Sequence, residues 1–196
     1  DTTFDTIKLL TDAGMTQINI HFMLSEETVD RAAQLMQERL TDPRLQNMNA
    51  IVFLGLKPKG RSKGRYTPLH KDKFKELVHT ALTSNIPIGF DSCSAFKFLQ
   101  VVKELIDEGK VQGTYEQFEQ VSEPCESTCF SSYINTDGVF YPCSFMEGEA
   151  GWEEGIDVTQ CSDFQTDVWH HPKTVDFRNR VVDGHHKCQN CVHYKI

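Results

Sequence analysis

The sequence predicts an α/β fold in which parallel βα units precede a small cysteine-rich domain built on a β-hairpin. Three observations carry this expectation. Between residues 1 and about 110 the hydrophobic period switches repeatedly from two residues to about 3.6. The alternation ends near residue 112, and six of the seven cysteines lie beyond that point. Domains are therefore expected at 1–112 and 113–196.

The elements follow in order. Thr2 and Asp5 have the spacing of a capping box, Phe4, Ile7 and Leu10 recur on one helical face, and Gly14 suits a helix stop. "MTQINIHFML" then alternates Gln17, Asn19, His21 and Met23 with Ile18, Ile20, Phe22 and Leu24, a strand with one polar and one apolar face. Val29, Ala32, Ala33, Met36 and Leu40 return to helical spacing, with Ser25 as the expected N-cap. "AIVFLGL" is the second strand, followed by a basic loop and a helix whose Phe74, Leu77, Val78, Ala81 and Leu82 face inward. "IPIGFD" and "AFKFLQVVKELIDEG" form the third strand and helix. Short parallel strands joined by helical crossovers are the economical arrangement of such a pattern. Three units do not close a barrel, and an exposed first edge wants a partner, so a missing N-terminal half is expected.

Past residue 112, "SSYINTDGVFYPC" alternates on both sides of Asp137-Gly138, a tight-hairpin dipeptide. "MEGEAGWEEG" reads as an acidic loop, and residues 163–182 have helical character interrupted by Pro172.

Composition narrows the function classes. With 39% hydrophobic and 24% charged residues the chain is an ordinary globular one, and no apolar run approaches the roughly 20 residues that cross a bilayer. A net charge of −8 argues against a general nucleic-acid surface. One segment runs the other way: Lys57, Lys59, Arg61, Lys63, Arg65, Lys71, Lys73 and Lys75 stand against Asp72 alone, either as a solvated loop or as a sleeve for a phosphate or carboxylate. Seven cysteines exclude a complete set of internal disulfides. "DTTFDTIKLLTDAG" lacks the pattern of a signal peptide, so a cytoplasmic, reducing compartment is expected, where grouped cysteines bind metal or do chemistry.

Cys125, Cys143, Cys188 and Cys191 form the pattern C-x12-G-x4-C-x44-C-x2-C, with Gly138 as the glycine. A hairpin brings Cys143 beside the segment that enters it, and a CxxC turn presents two sulfurs to one inorganic centre. Soft thiolates select zinc or iron–sulfur clusters over hard cations. Cys129 is an alternative to Cys125, while Cys93 and Cys161 fall outside the pattern and suit buried packing.

This constellation, with "CESTCFSSYINTDGVFYPC", "GIDV…DVWHHP…FRNRV" and "CQNC", resembles the C-terminal cluster domain of radical S-adenosylmethionine enzymes, in the SPASM or shorter twitch form. The resemblance implies that residues 1–112 are the later strands of that family's (β/α)6 partial TIM barrel. It also implies one auxiliary [4Fe–4S] cluster on Cys125 or Cys129, Cys143, Cys188 and Cys191. S-adenosylmethionine and a second [4Fe–4S] cluster require the "CxxxCxxC" motif, which this chain lacks because Ser132 stands where "CESTCFSS" needs a third cysteine. Alone, the chain is expected to be inactive. The implied partners are a peptide or small-molecule substrate, the missing N-terminal half, and an electron donor. The alternative is a noncatalytic zinc-binding or interaction module using the same thiols; disulfides in an exported protein are a third reading.

Asp91 and Ser92 lie where the third strand meets its helix, the end at which barrel enzymes assemble active sites, although both residue types also cap helices. Asn19 and His21 face a barrel interior as a polar network or as substrate contacts. His170, His171, His185, His186 and His193 read as surface histidines or zinc ligands. Arg178 is expected to bond a cluster sulfur or an acidic neighbour, Trp152 and Trp169 to pack, and Tyr133, Phe140, Tyr141 and Phe145 to shield a metal.

Overall fold

The computed structural model describes residues 1–123, 125–149 and 151–183. The chain forms two compact units that divide between residues 124 and 125.

The first unit is a three-stranded parallel sheet with helices. Helix α1 (Thr2–Asp12) opens the chain, strand β1 (Asn19–Leu24) leads to α2 (Val29–Thr41), β2 (Ala50–Gly55) to α3 (Lys71–Thr83), and β3 (Ile88–Phe90) to α4 (Ala95–Asp107). The spatial order is β1-β2-β3, with His21 beside Val52 and Val52 beside Gly89. In a parallel sheet, residues in register share a face. Ile20, Phe22, Leu24, Ile51, Phe53, Ile88 and Phe90 therefore line one face, which packs with α2, α3 and α4 into the core. Phe53 is fully buried at its centre, edge-on to Phe22 and tilted against Phe90. The opposite face carries Asn19, His21, Met23, Val52, Leu54 and Gly89, none of which joins that core. Right-handed crossovers taken in sequential strand order put every helix on the same side, which explains the asymmetry.

Several local details differ from the sequence expectation. Asp1, not Thr2, caps α1, its carboxylate accepting from the Thr3 N–H at 2.9 Å. Thr28, not Ser25, is the N-cap of α2; Ser25 is buried one turn earlier, where its carbonyl accepts from Val29. Ala33 and Leu40 are exposed, and Leu35 takes the inward position, because the buried stripe of α2 runs through Val29, Ala32, Leu35 and Met36. A further helix, α5 (Tyr115–Gln120), is started by a reciprocal capping box of Thr114 and Gln117. It belongs to the first unit, where Phe118 packs edge-on against Phe98.

The second unit is a small antiparallel sheet, β4 (Tyr133–Ile134), β5 (Val139–Tyr141) and β6 (Ile156–Asp157), followed by a π-turn at Gln165–Trp169 and helix α6 (Pro172–Val182). Pro172 starts α6 at its first turn, where its missing N–H is no loss. Four residues, 135–138, separate β4 from β5, rather than a two-residue turn. Asn135 spans this loop, its side-chain oxygen accepting from the N–H groups of Asp137 and Val139, and only Gly138 needs a positive φ, +78°. The core comprises Phe140, Tyr141, Met146, Trp152, Val168 and Phe177. Phe140 and Tyr141 of the hairpin pack around Trp152, and Tyr133 and Cys143 lie against that cluster. Among the described residues no helix is long and apolar enough to cross a membrane.

Candidate functional site

Two regions gather the chemistry-bearing residues, one in each unit. In the first, the C-terminal ends of the parallel strands form a polar rim. Asp91 follows β3, and its carboxylate receives the Lys57 ammonium and, at 3.3 Å, the Gly55 N–H. Both side chains are largely buried, 14% exposed for Lys57 and 19% for Asp91. Asp91 does not cap α4 through its carboxylate; Ser94 takes the N-cap position, its N–H bound to the Asp91 carbonyl at 2.7 Å. Gly55 allows this rim to close, since a Cβ there would sit 2.5 Å from the Ser94 hydroxyl. Ser92 and Cys93 are half-buried beside Asp91.

Asn19 and His21 are exposed on the helix-free face, with the Asn49 amide donating to Asn19 Oδ1 at 2.9 Å. The geometry brings Asp91 together with Lys57, 34 residues away, whereas Asn19 and His21 stand on β1 at the far edge of the sheet from β3. Sequence reasoning placed Lys57 in a basic run without its partner, and only the alignment of neighbouring strand ends reveals it.

In the second unit, "CESTCFSS" forms a tight turn. Thr128 lies at φ +60° and is fully buried; a β-branched residue in the left-handed region is a strained exception. Its N–H donates to the Ser131 carbonyl at 2.8 Å and its hydroxyl to the Ser127 carbonyl at 2.6 Å. Arg178, from α6, pins the turn. Its Nε donates to the Thr128 carbonyl, its Nη2 to the Trp169 carbonyl at 2.9 Å, and its guanidinium lies 4.7 Å from the Trp169 ring. Arg178 therefore serves backbone carbonyls, and among the described residues these stand where an acidic neighbour was expected. The signal that could have marked the turn is its density of Ser and Thr, which bond their own backbone.

Cys125 and Cys129 flank Thr128 as half-buried free thiols. Cys143, just past β5, and Cys161 pack against the aromatic core, and the Cys161 thiol donates to the Val158 carbonyl. His171 caps α6, its Nδ1 accepting from Lys173 at 3.2 Å, while His170 is exposed. Cys188, Cys191, His185, His186 and His193 lie outside the described residues. Among the described residues, no three His, Cys, Asp or Glu side chains converge to hold a metal. Cys125, Cys129 and Cys143 carry the soft sulfur donors that suit zinc or iron. Compared with protein-family models, curated proteins and solved structures, the chain matches none.

Proposed function

We propose that the chain is the C-terminal portion of a radical S-adenosylmethionine enzyme, with the first unit as part of its partial barrel and the second as an auxiliary [4Fe–4S] domain of SPASM or twitch type. Cys143, Cys188, Cys191 and either Cys125 or Cys129 would hold the cluster. The observation that carries this reading is the sequential order β1-β2-β3 with helices packed on one face only. Parallel sheets are normally covered on both faces, so a face that carries Asn19 and His21 beside Met23, Val52 and Leu54 with no helix of this unit packed on it supports reading the sheet as a wall whose other side meets a barrel interior. Asn19 and His21 on that face, and Asp91 and Ser92 at its rim, are the candidate contacts to substrate or S-adenosylmethionine.

When bound, such a cluster supplies electron transfer or substrate anchoring. The chain's own contribution is the setting: the Thr128 turn fixes the spacing of Cys125 and Cys129, and Trp152, Tyr141 and Phe140 exclude water beside Cys143. Substrates are expected among peptides or small molecules modified by radical oxidation, with the remaining barrel or an electron donor as partner.

Anaerobic reconstitution with iron and sulfide tests the cluster. Iron and acid-labile sulfide in equal amounts, with a broad visible absorption lost in Cys143→Ser, are expected. Folded protein retaining neither would reject it. Stoichiometric zinc, with iron failing to enter, would favour the alternative, a noncatalytic zinc-binding or interaction module on the same thiols.

A further inference from the structure

The loop between β2 and α3 is tied down at both ends. At its start, the Lys57 ammonium meets Asp91, and the Ser62 hydroxyl bonds the carbonyls of Lys57 (2.9 Å) and Lys59 (2.7 Å), closing a 3₁₀ turn at Gly60–Ser62. At its end, Thr67 donates its N–H to both Glu27 oxygens at 3.0 Å, and its carbonyl accepts from the Glu26 N–H at 3.0 Å. Glu26 also takes the His70 N–H and the Lys73 ammonium, each at 2.6 Å. The loop is thus a strap fixed to the C-terminal rim of the sheet.

Between these anchors, residues 58–69 contain no acid but carry Lys59, Arg61, Lys63 and Arg65. Arg61, Lys63 and Arg65 are exposed and have no ion-pair partner among the described residues. The anchoring carboxylates are all engaged: Asp91 by Lys57, Glu26 by Lys73 and His70, Glu27 by Thr67. Four residues of chain separate the Cα atoms of Arg61 and Arg65 by at most about 14 Å, a span that long flexible side chains can close onto one anion. A bridging anion offsets whatever repulsion these like charges feel on one anchored loop, and the loop is their shared frame. The location is where ligands bind in open parallel sheets, outside the carboxyl ends of the strands. Two arginines with a lysine between them favour a multiply charged phosphate over a single carboxylate, because guanidinium forks match phosphate oxygens.

We propose that Arg61, Lys63 and Arg65 form a binding site for the phosphate group of a small ligand at the rim beside Lys57 and Asp91. The site stands independently of any cluster in the second unit. Isothermal titration of the full chain, without iron, with inorganic pyrophosphate at low and high salt tests it, with succinate as the carboxylate probe. Saturable pyrophosphate binding is expected, weakened by salt and reduced at least tenfold in Arg61→Ala/Arg65→Ala, which replaces exposed side chains. Arg61→Lys/Arg65→Lys keeps the charge and is expected to bind more weakly than the parent but more tightly than the alanine pair. No binding of pyrophosphate, equal binding by the parent and both double variants, or succinate binding as tightly as pyrophosphate overturns the proposal. A single-stranded oligonucleotide that binds the strap far more tightly than pyrophosphate also overturns it, in favour of a nucleic-acid surface.

Discussion

Arg178→Ala provides the sharpest test of the second unit. The guanidinium makes two charge-assisted hydrogen bonds, to the carbonyls of Thr128 and Trp169, and lies over the Trp169 ring. Hydrogen bonds to charged groups contribute about 1.5–3 kcal/mol each, and an exposed cation–π contact about 0.5–1 kcal/mol. Arg178 is half-exposed, so the low ends apply, giving about 3.5 kcal/mol. The loss is amplified in kind because Thr128 is held at φ +60°, a conformation worth about 1–3 kcal/mol of strain that persists only when its surroundings enforce it. A unit of this size has a total stability of roughly 4–10 kcal/mol, so the variant should lose a third or more of it.

Both tryptophans of the chain, Trp152 and Trp169, lie in the second unit, so intrinsic fluorescence during urea unfolding reports that unit alone. The midpoint should fall sharply for Arg178→Ala and nearly as far for Arg178→Lys, whose single ammonium cannot reach two carbonyls with a planar fork. A midpoint for Arg178→Ala within about 0.5 kcal/mol of the parent would refute the pinning role.

Further outcomes follow from single contacts. Glu27 is held down to about 2, from an ordinary 4.5, first by the Thr67 N–H and then by the Ser25 hydroxyl. A depressed carboxylate contributes stability above its unfolded value and loses it as pH falls through the folded one. Protection of the Thr67 amide, the slowing of its exchange relative to an unstructured amide at the same pH, should therefore fall between pH 4.5 and about 2, and Glu27→Gln should remove that pH dependence. Gly138→Ala combines a left-handed φ of +78° with a Cβ placed 2.6 Å from the Thr159 methyl. It should destabilise the hairpin by about 2 kcal/mol in the same fluorescence assay, and Thr159→Ala should relieve part of this. Phe53→Ala empties the centre of the first core and should cost about 3–5 kcal/mol by circular dichroism. The Thr174 hydroxyl is buried with no hydrogen-bond partner among the described residues, so Thr174→Val should be neutral or stabilising by about 1 kcal/mol in urea.

The first unit was legible because its information is periodic. Alternation in β1, apolar spacing in α3 and α4, and turn residues between them each report burial directly, and tertiary packing agreed with local pattern. The errors fell at element ends. Whether Ser25 or Thr28 caps α2 depends on Glu26 and Glu27 being drawn to Thr67 and His70, some 40 residues on. The second unit was less legible. Strands β4 and β6 have two residues each, too short for a period, and β6 pairs with β5 across the acidic loop. Gly155 fits against β5, where a Cβ would strike the Phe140 carbonyl, so a glycine that read as loop composition is a packing requirement.

The two candidate regions share a logic that explains why sequence alone identified their residue types but not their connections. At the rim, Lys57 and Asp91 are ordinary residues until adjacent parallel strands bring their ends together. In the cysteine turn, Arg178 is an ordinary helix residue until it meets the carbonyls of Thr128 and Trp169. Both connections use a cation held between elements far apart in the chain, and both fix backbone next to groups left available: Arg61, Lys63 and Arg65 on the strap, Cys125 and Cys129 on the turn. Preorganisation of this kind lowers the ordering cost of binding, because the loop is fixed before any ligand arrives. The strap and the turn should thus differ from unanchored loops in one measurable way. Releasing the anchor, by Glu27→Gln or Arg178→Ala, should weaken binding of pyrophosphate or iron while leaving the contacting side chains in place. Unchanged affinity in both variants would mean that the anchors serve stability alone.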